Sequence, residues 1–145
     1  MAAALLQHAL RAEAEPLRSL KVVSAAVASR GGDPVSENSV IALKKVGLNI
    51  SGHRSRSLTQ AMLDDALAVI GMTESHRAMI YMQGAPVPKN LFLFREFIPG
   101  KVEREIGDPF GGPIRAYEAA RDEMVEAIPS LVAHLKTLIA AKPAG

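Results

Sequence analysis

Three short apolar runs constrain this chain more than any other feature: LKVVSAAV (20–27), ALAVIGM (66–72) and LFLFREF (91–97). Each is rich in β-branched or aromatic residues and too short for a buried helix. The first two are continuously apolar rather than alternating, as strands covered on both faces require. Segments with helical spacing separate them, and strands that alternate with helices imply βαβ units. The expected fold is therefore α/β, a three-layer α/β/α arrangement around a short, mostly parallel sheet, with residues 1–145 forming one domain.

The helical segments carry their own punctuation. MAAALLQHAL (1–10) places Leu5, Leu6 and Leu10 on one face. In VSENSVIALKKVG (35–47), either the Asp33–Pro34 pair or Ser36 supplies the start, Val40, Ile41 and Leu43 supply an apolar face, and Gly47 ends the helix. Thr59 caps a short helix through TQAMLDDA, and ESHRAMIYMQG (74–84) is another. A last helix begins near Ile114 and carries Tyr117, Ala120, Met124, Ile128, Leu131, Leu135 and Leu138 at helical spacing, with a kink expected at Pro129. The opening helix stands apart from the rest. A helix leading into a parallel strand is normally the crossover of a βαβ unit, so a strand and a turn are expected ahead of Met1.

Composition narrows the function. The 145 residues are 48% hydrophobic and 22% charged, with a formal net charge of +2, which describes an ordinary surface rather than one built for nucleic acid or an anionic membrane. The chain contains no cysteine, which excludes disulfides, thiolate zinc sites and a cysteine nucleophile within these residues. No apolar run approaches the roughly 20 residues that span a bilayer, and the apolar start lacks a basic leader, so the cytoplasm is the expected location.

The most specific local motif is GDPFGGP (107–113). Asp108, held before Pro109 between glycines, is a carboxylate on a sharply bent loop. It suits a general acid or base; an Asx or proline turn leading into the last helix is the commoner use of such residues. GHRSRS (52–57) groups His53, Arg54 and Arg56, which either bind an anion or form a solvated basic loop. His8 is expected to pack on the apolar face of the first helix. His76 and His134 have no partner at metal-ligand spacing. Met62, Met72, Met79, Met82 and Met124 read as core filling, and SRGGDP (29–34) matches no nucleotide-binding pattern.

Taken in order, these fragments resemble the low-molecular-weight protein tyrosine phosphatase family over essentially the whole chain. MAAALLQHAL is similar to that family's first helix, and the SAA of Ser24 to Ala26 to the S-A-G that follows its second strand. SENSVIALKKVGLNISGHRSRSLT, DDALAVIGMTESHR and DPFGG resemble its next helix and variable loop, its third strand and helix, and its acid loop. DPFGG is most similar to bacterial members that include protein arginine phosphatases. The resemblance implies phosphomonoester hydrolysis through a phosphocysteine, without a cofactor, on a phosphorylated protein carrying phosphotyrosine or phosphoarginine. It makes Asp108 the general acid and base, Phe110 a wall of the substrate cleft, and His53 and Arg56 residues of the cleft rim.

The family's C-x-x-x-x-x-R-S loop and first strand stand ahead of the position that Met1 occupies. Three expectations follow: an ordinary phosphatase whose cysteine loop lies upstream, a non-catalytic binding or regulatory relative, or a remnant without phosphate recognition. In each case the chain as it stands is expected to be inactive. Its sheet, lacking the family's first strand, should expose an edge through which it could self-associate, and its stability should be marginal.

Overall fold

The computed structural model describes residues 1–26, 36–54, 56–83 and 86–141. The predicted SRGGDP turn and the Asp33–Pro34 pair lie outside the described residues, as do Val27, Ser55 and Ala85. In chain order the elements are helix α1 (Ala2–Arg11), a 3₁₀ turn (Leu17–Ser19), helices α2 (Glu37–Lys44) and α3 (Gln60–Asp65), strand β1 (Val69–Gly71), helix α4 (Glu74–Gln83), strand β2 (Leu91–Leu93) and helix α5 (Ile114–Ala141).

The local signals act as expected at several ends. Of the two proposed starts for α2, Ser36 is the cap: its hydroxyl accepts the Ser39 N–H at 3.3 Å. Thr59 accepts the Met62 N–H at 3.2 Å and starts α3. Gly47, at φ +86°, takes the left-handed conformation that closes the turn after α2.

Three helix faces differ from the sequence reading; on α4, Met79 and Met82, expected as core filling, are 37% and 85% exposed. On α2 the buried residues are Ser39, Ala42 and Leu43, whereas Val40 is only half-buried and Ile41 is 38% exposed. At 100° per residue, Ile41 lies opposite the arc shared by Ser39, Ala42 and Leu43. His8 is exposed rather than packed, because it projects away from the arc defined by Leu5, Leu6 and Leu10.

β1 and β2 pair in parallel, with Val69 opposite Leu91, Ile70 opposite Phe92 and Gly71 opposite Leu93, and α4 connects them. This βαβ unit supplies the parallel sheet. Both strands are shorter than the apolar runs that contain them. After Leu93 the chain turns, with the Glu96 N–H donating to the Leu93 carbonyl at 3.0 Å, and Arg104 gathers the carbonyls of Arg95 (3.1 Å), Glu96 (3.0 Å), Ile98 and Gly100. A guanidinium with five donors in a fixed fork suits such a ring of acceptors.

The largest departure is LKVVSAAV. Instead of a buried parallel strand, its described residues contribute one isolated parallel bridge, Ala26 to Ser57. Pairing decides this, since a β-rich run becomes a ladder only beside another strand. Here Gln7 of α1 takes the partner's place: its Nε2 donates to the Leu20 carbonyl at 2.9 Å, and its Oε1 accepts from the Val22 N–H at 2.8 Å.

Helices α1, α2 and α5 pack together over one side of the sheet. Leu5, Leu6, Leu10, Leu43, Phe94, Ile106, Met124, Leu131 and Leu135 form the core there. Helix α4 packs on β1 and β2 with Ile80 buried outside that cluster, which completes the third layer. Helix α5 runs on through Pro129, which faces solvent. Two buried arginines fasten neighbouring elements. Arg121 donates to the Ala42 carbonyl at 2.8 Å, joining α5 to α2, and Arg95 donates to the Glu103 and Glu123 carbonyls at 2.8 and 2.9 Å.

Candidate active site

The segment that carries Asp108 is anchored before it bends. Ile106 is buried, and its N–H donates to the Met72 carbonyl at 2.9 Å, so the chain leaves the core beside the C-terminal end of β1. In open parallel sheets that end is where ligands bind. Two residues later Asp108 is exposed, and its Oδ1 accepts the Phe110 N–H at 3.0 Å. The Gly112 N–H donates to the Pro109 carbonyl at 2.8 Å.

The glycines have separate reasons to be there. Gly111 sits at φ +79°, and a Cβ on Gly112 would lie 2.8 Å from the Pro109 carbonyl oxygen. The Asx turn is therefore real, and it orients the carboxylate rather than burying it. Phe110 is 83% exposed beside it. Across 74 positions in sequence, Asn38 of α2 donates from Nδ2 to the Gly112 carbonyl at 3.2 Å, holding the far side of the bend.

The second loop is tied to residues 24–26. The Ala26 N–H donates to the Arg56 carbonyl at 2.8 Å and the Leu58 N–H to the Ala26 carbonyl at 3.0 Å. His53 lies 3.2 Å through Nε2 from the Ser24 hydroxyl, and its own N–H donates to the Ile50 carbonyl at 2.9 Å. The His53 pKa is lowered from the ordinary histidine value, first by loss of water around the ring, then by the positive charge of the Met1 amine, then by Arg56. The ring is thus held neutral near pH 7, able to accept a proton or a hydrogen bond. Loss of water also lowers the Met1 amine.

His53 and Arg56 are thereby close enough to feel one another, together with Ser24 and the start of α1. Among the described residues, no hydrogen bond or ion pair joins Asp108 to either of them. His76 and His134 serve the fold instead. His76 Nδ1 accepts the Met72 N–H at 3.3 Å, and His134 stacks on Phe97 with ring centroids 3.8 Å apart and meets Phe92 edge-on at 5.0 Å.

A family model described as low molecular weight phosphotyrosine protein phosphatase matches residues 1–140. The chain belongs to that family. A protein-arginine-phosphatase of Geobacillus stearothermophilus is 36% identical over 137 residues, spanning 94% of this chain and 87% of the relative. A protein-arginine-phosphatase of Bacillus subtilis is 33% identical over 127 residues, spanning 86% of this chain and 81% of the relative. Among solved structures, the arginine phosphatase YwlE of G. stearothermophilus superposes with a TM-score of 0.80 at 32% identity, covering 99% of this chain and 89% of that one. A low-molecular-weight protein tyrosine phosphatase from T. tengcongensis superposes with a TM-score of 0.81 at 28% identity, covering 92% and 88%.

Both loops fall within the span matched to the low-molecular-weight phosphatase family, as do two residues whose contacts were not legible in the sequence. In the sequence Ser24 is only the first residue of the SAA motif, and its contact with His53 bridges 29 positions. Asn38 reads locally as a polar residue in the first turn of α2. Only the folded chain brings it to Gly112.

Proposed function

We propose that this chain is the scaffold and acid half of a protein phosphatase that cleaves phosphomonoesters or phosphoramidates on proteins through a phosphocysteine. In this reading Asp108 protonates the leaving group and then activates water. Phe110 walls the substrate cleft, and His53 and Arg56 form its rim. The observation that carries the reading is the exposed, Asx-oriented carboxylate of Asp108 beyond the C-terminal end of β1, in a chain matched to the family over residues 1–140.

The names of the relatives favour phosphoarginine over phosphotyrosine as the substrate group. The expected partner is a phosphorylated cytoplasmic protein rather than nucleic acid or membrane, in keeping with the net charge of +2. No cofactor is required. Residues 1–145 act as one domain.

Hydrolysis by this route needs a thiolate, and these residues include no cysteine. The 145-residue chain by itself is therefore inactive, and activity appears when a strand ending in C-x-x-x-x-x-R-S-P is joined ahead of Met1. The same missing thiolate favours a second reading, a non-catalytic relative that binds phosphoproteins. Phosphate release from phosphoarginine and phosphotyrosine proteins, measured for the chain alone and for the extended chain, separates the two. Turnover gained on extension supports the enzyme. Phosphoprotein binding by the chain alone, with no turnover on extension, supports the binding protein.

A further inference from the structure

The segment that carries Asp108 is firmly fastened on either side of a nearly free bend. Ahead of the bend, Glu105 accepts the Glu74 N–H through Oε2 at 2.7 Å, which ties it to the first turn of α4, and the buried Ile106 donates its N–H to the Met72 carbonyl at 2.9 Å. Behind it, the Pro113 carbonyl accepts the Ala116 N–H at 2.9 Å as α5 begins. Between these anchors lie residues 107–112, of which Gly107, Asp108, Phe110 and Gly111 are exposed. Two of their hydrogen bonds stay within the loop, from the Phe110 N–H to Asp108 Oδ1 and from the Gly112 N–H to the Pro109 carbonyl. Among the described residues, a single hydrogen bond joins 107–112 to the rest of the protein: the half-buried Asn38 donates from Nδ2 to the Gly112 carbonyl at 3.2 Å.

We propose that Asn38 is a positioning residue for the reaction, its amide setting where the Asp108 carboxyl stands. The inference rests on the phosphatase reading of Asp108 and adds to it the group that acts through the loop. The path from one to the other is short. Asn38 holds Gly112, the Gly112 N–H holds the Pro109 carbonyl, and Pro109 is bonded directly to Asp108. Gly107, Gly111 and Gly112 offer little resistance of their own, so without the tether the loop has many bends open to it. Its anchor, by contrast, is fixed: Ser36 caps α2, and Ser39, Ala42 and Leu43 bury it. As the bond from phosphorus to the leaving group breaks, the Asp108 carboxyl must hand its proton to the departing atom, and a misplacement of about 1 Å can cost about 10²-fold in rate.

The test compares Asn38→Ala and Asn38→Asp. An ionised Asp keeps the shape of Asn but cannot donate, and its charge in the first turn favours α2, so a circular dichroism melt should show both variants folded. In the 145-residue chain, NMR relaxation should show the Asp108, Phe110 and Gly111 amides loosening in both variants, from order parameters of about 0.85 to below about 0.6, while α2 is unchanged. In the chain extended by the strand and C-x-x-x-x-x-R-S-P loop, kcat/KM for phenyl phosphate should fall by about 10–100-fold, and for 4-nitrophenyl phosphate, whose leaving group has little need of a proton, by less than about threefold. Added to Asp108→Asn, Asn38→Ala should cost nothing more, because the acid it positions is already gone. Order parameters equal to the parent's, a loosened loop with unchanged kcat/KM, or the same loss with both substrates or beside Asp108→Asn would each overturn the proposal. An extended parent chain without turnover is a separate outcome, which overturns the phosphatase reading and this role with it.

Discussion

At the scale of single residues, some polar groups in this chain fasten one element to another and others lie at the candidate site. Arg121 fastens. It is 9% exposed and serves the carbonyl of Ala42, which is fully buried. Arg121→Met should cost about 1–3 kcal/mol in a denaturant titration, because it leaves a buried acceptor without its donor.

His53 lies at the candidate site, its ring 3.2 Å from the Ser24 hydroxyl. Its lowered pKa means the unfolded chain binds a proton more readily than the folded one between the folded value and 6.5. The His53 contribution is therefore fully present above pH 6.5 and is lost as the pH falls through the folded pKa. An NMR titration should show its ring titrating below 6.5, and Arg56→Ala should move that midpoint upward. The sequence marked Asp108, His53 and Arg56 because their local motifs are dense, and Phe110 through the family resemblance. It could not mark the contacts of Ser24 and Asn38, which depend on folding across 29 and 74 positions.

At the scale of elements, local chemistry was legible and pairing was not. Ser36, Thr59 and Gly47 punctuate the helices as their side chains or lack of one dictate. The βαβ order also follows from the pattern of runs. The extent of LKVVSAAV and LFLFREF as strands did not follow, since ladder length is set by neighbours: Gln7 satisfies one run, and Arg104 folds the other into a turn.

Pro129 illustrates the complement, a local rule broken at little cost. It lies within α5 and removes a hydrogen bond to the Val125 carbonyl, but Pro129 is exposed and Val125 is 45% exposed, so water can reach the freed acceptor. Pro129→Ala should restore the bond and raise stability by up to about 3 kcal/mol, read as a higher melting temperature. In the acid loop, Gly112→Ala should have the opposite effect. Its Cβ would lie 2.8 Å from the Pro109 oxygen, so the turn must open, and Asp108 should lose its contact with the Phe110 N–H.

At the scale of the whole molecule, a three-layer phosphatase-family fold presents an acid loop and a histidine–arginine loop without a thiol among its residues. The scaffold and the proposed proton donor, Asp108, are among these residues, and a thiol is not. The most direct test is phosphate release from phosphoarginine and phosphotyrosine proteins by three forms: the 145-residue chain, the chain extended by a strand and C-x-x-x-x-x-R-S-P loop, and the extended chain with Asp108→Asn. The account predicts no turnover by the first, turnover by the second, and a loss of about 10²–10⁴-fold in the third for substrates with poor leaving groups. Hydrolysis by the 145-residue chain alone, or an Asp108→Asn form as fast as its parent, would contradict it.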